Sequence, residues 1–114
     1  MAVFLTHVDK DVDRSVAAKH AAEYGFKSTV LLDPAHKLVA ALGATVTPEA
    51  FVVDRKGAIV YRGRIDDRWP SLGVQREPRT RELRAALDAL IAGKRVPTPR
   101  TKAVGCFIPN VWAP

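Results

Sequence analysis

Cys106 is the one thiol in the 114 residues. A thiolate attacks a disulfide sulfur to give a mixed disulfide, and a second thiol is needed to resolve it. With one cysteine the chain cannot form an internal disulfide, and cysteine usage says nothing of the redox compartment. Val104, Phe107 and Ile108 around Cys106 are apolar, and Lys102 is its near cation. Such surroundings favour the neutral thiol and predict a buried, inert cysteine. If exposed, it could form an intermolecular disulfide. His7, His20 and His36 are the imidazoles. His7, Asp9 and His20 could approach one another, but their spacing fits no metal pattern, so no metal or cofactor is expected. His20 falls near the apolar side of its helix and is expected at a core margin.

Arg62, Arg64, Asp66, Asp67 and Arg68 could meet an anion or a partner. As alternating charges they read more simply as surface ion pairs, each worth little. Trp69 is expected to cover a sheet end and Trp112 to pin the C-terminal segment. The chain shows no glycine-rich phosphate loop, no paired carboxylates at a plausible spacing and no supported Ser-His-Asp order.

The elements that must position these groups follow from periodicity. Ala2 to Val8 reads as a buried strand. Asp9 to Asp13 offers caps for a helix with Val12, Val16, Ala17, Ala21 and Tyr24 on its apolar stripe, closed by Gly25. Thr29 to Leu32 is a second strand. Asp33-Pro34 is expected to open a helix carrying Leu38, Val39 and Leu42 and ending at Gly43. Ala50 to Val53 and Ile59 to Arg62 are strands joined by the turn Asp54-Arg55-Lys56-Gly57. Asp66 to Gln75 reads as a loop. The last helix is expected from near Pro78, with Leu83, Ala86, Leu87, Leu90 and Ile91 on one face, ending at Gly93-Lys94-Arg95. Residues 94–114 form an extended basic and apolar tail with a second patch, Val104 to Ile108 and Val111-Trp112. Alternation followed by a hairpin predicts an α/β fold with a mixed sheet and flanking helices.

With these elements in place, the order Val3-Phe4-Leu5-Thr6-His7-Val8-Asp9, Val30-Leu31-Leu32-Asp33-Pro34, Gly43-Ala44-Thr45-Val46-Thr47-Pro48, Phe51 to Gly57 and Tyr61 to Asp67 resembles the thioredoxin-like redoxins. These are the bacterial relatives of alkyl hydroperoxide reductase/thiol-specific antioxidant proteins and of thiol-disulfide reductases. The resemblance runs from about Val3 to Ile91 and implies a thioredoxin-like domain over residues 1–93. It implies that Val46, Thr47 and Pro48 shape a substrate groove, with Pro48 in the cis form. Thr101 to Cys106 is similar to the end of some redoxins, which keep a Gly-Cys pair. In the family a central strand and a helix bearing Cys-x-x-Cys or a peroxidatic cysteine precede the strand matched by Val3–Val8. The expectation is therefore an N-terminally truncated domain that has no thiol-disulfide or antioxidant turnover alone. Its partner would be a protein thiol or disulfide, or another copy of the chain. The alternative is a non-catalytic interaction module, using the proline loop and the gap left in the sheet.

The bulk numbers are consistent with one small domain. The chain is 47% hydrophobic and 26% charged, and no apolar run approaches the ~18 residues needed to span a bilayer. As it stands it is expected in the cytoplasm, although full-length relatives are often exported or membrane-tethered. Residues 1–54 carry 5 Lys/Arg against 7 Asp/Glu, and residues 55–114 carry 13 against 5. That basic half is interleaved with acids and poor in aromatics, so no nucleic-acid partner is expected.

Overall fold

Two runs of β-forming residues separated by a helical stretch cannot pair antiparallel through a short turn, and a crossover helix lets them pair in parallel. The computed structural model, which describes residues 1–109, builds this unit from β1 (Phe4–His7), α1 (Arg14–Tyr24) and β2 (Thr29–Leu32). β1 and β2 run parallel, from Phe4 opposite Thr29 to His7 opposite Leu32. With α2 (Lys37–Leu42), they form a first unit over Met1–Ala44; Thr45–Ile108 form a second.

In α1 the Asp13 carboxylate accepts the Val16 N–H at 2.9 Å, and Gly25 takes the left-handed conformation that closes the helix. The expected stripe is only partly inward. Ala17 is buried, whereas Val16 and Tyr24 are exposed. Successive helical residues are turned by ~100°, so burying Ala17 rotates Val16 outward; Tyr24, in the last turn, stacks against Phe26. α2 also departs from expectation, starting at Lys37 and not beside Asp33-Pro34. His36 takes a left-handed backbone, φ 55°, which halts any helix through residues 34–36. Asp33 still acts as the cap from a distance: its carboxylate accepts the N–H groups of Lys37 and Val39 at 2.8 and 2.9 Å.

The second unit is built on a hairpin. β4 (Ala50–Val53) and β5 (Ile59–Gly63) pair antiparallel, Ala50 opposite Gly63 and Val52 opposite Tyr61. The Asp54 carboxylate accepts the N–H groups of Lys56 and Ala58, and Gly57 supplies the positive φ that the turn needs. Val52, Tyr61 and Ala86 form the core, with Leu83, Leu87 and Leu90 of α3 (Glu82–Ile91) packed on it. Each large apolar side chain so buried contributes about 1.5–3 kcal/mol. Ile91, expected on this face, is exposed at the end of the helix.

β3 (Val46–Thr47) and β6 (Cys106–Phe107) form a short antiparallel ladder. The stretch expected as an extended tail is extended up to Ile108, but it is bonded into this unit. Arg62 donates its N–H to Pro99 O, Thr101 donates to Arg62 O, and Ile108 donates to Thr45 O. Val111 and Trp112 lie outside the described residues. Among the described residues the parallel pair and the two antiparallel pairs form three separate two-stranded sheets and not the single mixed sheet expected, because each ladder spans only two to five residues; the structure is mixed α/β in class. Among the described residues no helix is long and apolar enough to cross a membrane.

The late start of α3 has a specific cause. Asp67 is 3% exposed, and its carboxylate accepts the N–H groups of Arg79 and Thr80 and pairs with Arg76 at 2.7 Å. These bonds commit the backbone N–H groups of residues 79 and 80 to Asp67, and the helix begins only at Glu82. The expectation of surface ion pairs around Arg62 to Arg68 is thus overturned: Asp67 is a buried hub, and Arg64 pairs with the buried Glu82. A short loop that closes on itself needs internal acceptors for its backbone N–H groups, and Asp67 supplies them. The Thr80 N–H foremost, with those of Arg79 and the Arg76 guanidinium, holds the Asp67 carboxyl well below the usual carboxylate range, against the opposing pull of burial. Because the folded-state pKa lies below the unfolded one, this stabilisation is whole above about pH 4 and is lost as pH falls toward the folded value. Asp67→Asn is expected to lower the thermal unfolding midpoint at pH 7 and to flatten its fall in acid, with Asp66→Asn moving it far less. Circular-dichroism melts across pH 2–7 would check this, and equal effects of the two substitutions would count against the hub.

Candidate functional site

The loop from Thr45 to Glu49 is closed by its own last side chain. The Glu49 carboxylate accepts the Thr45 N–H at 3.0 Å, and its other oxygen lies 3.9 Å from the Arg62 guanidinium. Between them Val46 is buried, while Thr47 and Pro48 are exposed. The Thr47-Pro48 peptide is cis. Of the three expected groove residues, then, Thr47 and Pro48 offer surface and Val46 anchors it.

Cys106 stands directly across from Thr47 in the β3–β6 ladder. Such cross-strand partners carry their Cβ atoms roughly 5 Å apart. The thiol is exposed, against the expectation of a buried cysteine. The apolar neighbours that suggested burial divide instead: Ile108 is 3% exposed and enters the interior, while Phe107 is 74% exposed. Cys106 and Phe107 are both exposed in the two-residue strand β6, so burial resumes only at Ile108. Gly105 lets the two segments meet. A Cβ placed on it would collide with the Thr47 carbonyl group and crowd the Pro48 nitrogen.

Three further residues fix this geometry, none of them legible as functional in the sequence. Thr101 sits at the end of β5, where the Arg64 N–H donates to its hydroxyl at 2.9 Å. The Tyr61 hydroxyl donates to Arg64 O and lies 2.7 Å from the Thr101 hydroxyl. A phenol has one proton, so the Thr101 hydroxyl is the donor to Tyr61. Burial raises the Tyr61 pKa above its ordinary value, despite the hydrogen bond to Thr101. Gly63, φ 141°, makes room for Thr101; a side chain there would collide with the Thr101 hydroxyl and carbonyl. The signal that could have found these residues is the pair of glycines, Gly63 and Gly105, each followed by a polar or reactive residue.

The other candidates form no catalytic constellation. His7 and His20 do approach, edge to face with centroids 5.3 Å apart, and His20 also meets Tyr24 and Phe26 at 4.7 and 5.6 Å. His20 Nδ1 is buried without a hydrogen-bond partner. His36 points its Nε2 at the Val8 carbonyl, 2.8 Å away. Among the described residues no group of three or more His, Cys, Asp or Glu could hold a metal ion. Trp69 is exposed.

Comparison with known proteins places the fold among solved structures. A hypothetical protein from Sinorhizobium meliloti 1021 is 30% identical over 94% of this chain, with a TM-score of 0.80. An uncharacterized conserved protein from Geobacillus kaustophilus is 30% identical over 94% of the chain, with a TM-score of 0.77. The chain spans 60% and 58% of the length of these two proteins. No protein-family model matches, and no curated protein does.

The ladder that holds Cys106 against Thr47 depends on the absence of a side chain at residue 105. Gly105→Ala is expected to raise the hydrogen-exchange rate of the Ile108 amide, which bonds Thr45 O, by about tenfold or more. The hairpin amide of Val52 should be unaffected. Unchanged exchange at Ile108 would show that the collision is relieved without opening the ladder.

Proposed function

We propose that this chain is the substrate-binding portion of a thioredoxin-like redoxin, in which the Thr47-Pro48 loop receives a polypeptide bearing a thiol or disulfide. The observation that carries the reading is the exposed Cys106 held opposite Thr47. The order of elements, the mixed α/β architecture and the Gly105-Cys106 pair support it. The chemistry available is limited by the sulfur count. The Cys106 thiolate attacks one sulfur of a partner disulfide, the S–S bond breaks, and the partner's other sulfur leaves as a thiolate. With one cysteine in the 114 residues, the mixed disulfide is the end state until an external thiol displaces it. Oxidised glutathione should therefore add one glutathione to the chain, seen by mass spectrometry, and Cys106→Ser should abolish the adduct. Insulin reduction and peroxide consumption should show no turnover. If the loop seats the polypeptide, Thr47→Arg slows capture of a peptide disulfide about tenfold while leaving the glutathione reaction nearly unchanged. Turnover that survives Cys106→Ser would sink the reading.

A second reading, a non-catalytic interaction module, is favoured by the state of β1. Among the described residues β1 pairs with β2 alone, and no second described strand lies along its other edge. Open edges recruit further strands. On this reading a second copy of the chain supplies the partner strand. Sedimentation velocity should then detect a concentration-dependent dimer that persists in Cys106→Ser, and a monomer at all concentrations would dismiss it.

A further inference from the structure

The Thr45–Ile108 unit carries a second surface, separate in its residues from the Cys106 ladder. Ile65, Leu83 and Leu87 line a crevice of about 200 Å³, with Arg81, Arg84 and Asp66 around it. Ile65 and Leu83 are tied together by the Leu83 N–H donating to Ile65 O at 3.3 Å. The neighbouring Asp67 hub fixes residues 79–80 just before α3, so the wall formed by Arg81 and Leu83 is held by bonded backbone. Ile65 is 52% exposed, an aliphatic side chain left at the mouth.

The volume is below the 300–1,000 Å³ typical of sites for drug-sized ligands. It suits a single bulky side chain. The charges select what surrounds that side chain. Among the described residues neither Arg81 nor Arg84 has an ion-pair partner. Asp66, the one acid at the crevice, has an oxygen accepting the Arg68 N–H at 2.9 Å. The rim is thus net positive around an apolar floor, a pattern that attracts carboxylates and rejects cationic segments.

From this combination we infer that the crevice between Ile65 and α3 docks an acidic peptide segment, one leucine or phenylalanine filling the floor and flanking carboxylates pairing with Arg81 and Arg84. This site stands whether or not Cys106 has the role proposed above. The probe is a fluorescein-labelled peptide, Glu-Asp-Leu-Asp-Glu, with Glu-Asp-Gly-Asp-Glu and Lys-Lys-Leu-Lys-Lys as comparators, read by fluorescence anisotropy. The leucine peptide should bind about tenfold more tightly than the glycine peptide, and binding should weaken as salt rises. The double variant R81E/R84E should lose about tenfold for the leucine peptide and gain for the lysine peptide. Ile65→Glu, at an exposed position, should weaken the leucine peptide without altering the circular-dichroism spectrum. No binding of the leucine peptide at millimolar concentration, equal binding of the glycine peptide, or an unchanged R81E/R84E variant would each overturn the inference. So would binding to phosphatidylserine vesicles that R81E/R84E abolishes while the peptide fails to bind.

Discussion

The second unit depends on a small polar junction at Thr101. Its hydroxyl accepts from the Arg64 backbone and donates to Tyr61, whose own proton goes to Arg64 O. Each donor and acceptor in that set is used, which is what a buried phenol requires. Tyr61 is fully buried and belongs to the core, so the junction welds the returning C-terminal segment to the hydrophobic interior. It acts together with Val96, which packs on the same core, and with the backbone bonds that Arg62 makes to Pro99 and Thr101. Gly63 completes the arrangement, because the backbone of Thr101 occupies the space a side chain would need.

From this junction the chain continues to Gly105 and Cys106, and the register of β6 against β3 follows. The loop that carries Thr47 and Pro48 enters β4 at Ala50, and Ala50 pairs with Gly63 at the end of β5. The loop at 45–49 and the loop at 64–81 therefore leave the same end of one hairpin. Each has a carboxylate that accepts backbone N–H groups: Glu49 serves Thr45, and Asp67 serves Arg79 and Thr80. The recurrence has a simple reason, since an irregular segment near a protein interior must find acceptors that a ladder would otherwise provide.

How much of this was legible varied with the range of the interaction. Local signals read well. Thr29–Leu32 and Ala50–Val53 are strands over the residues that β-propensity and flanking turn residues marked. Asp13 and Gly25 bound α1 because capping is decided within a few residues. The starts of α2 and α3 were missed because distant bonds set them. Asp33 reaches over a left-handed His36, and Asp67 reaches twelve residues ahead to Arg79. The site was half legible. Thr47-Pro48 and Gly105-Cys106 each stood out as pairs, but their meeting required the Thr101 junction, which joins positions 40 apart in the chain. Cys106 departs from the buried position that its apolar neighbours predict, because β6 leaves both of its residues exposed and only Ile108 beyond it enters the interior.

That separation of 40 residues carries a kinetic meaning. The β4–β5 hairpin is closed by a four-residue turn and can form early, whereas the junction at Thr101 must wait for the chain to complete a long loop and absorb its closure entropy. The contact that brings Cys106 to Thr47 thus closes a far longer loop than the hairpin does. By the same reasoning, the segment from Pro99 to Ile108 is positioned to detach first in a partial opening, leaving the hairpin and α3 in place. The thiol would then travel with a free strand, so its neighbourhood is set by an equilibrium of the fold as well as by the groups around it.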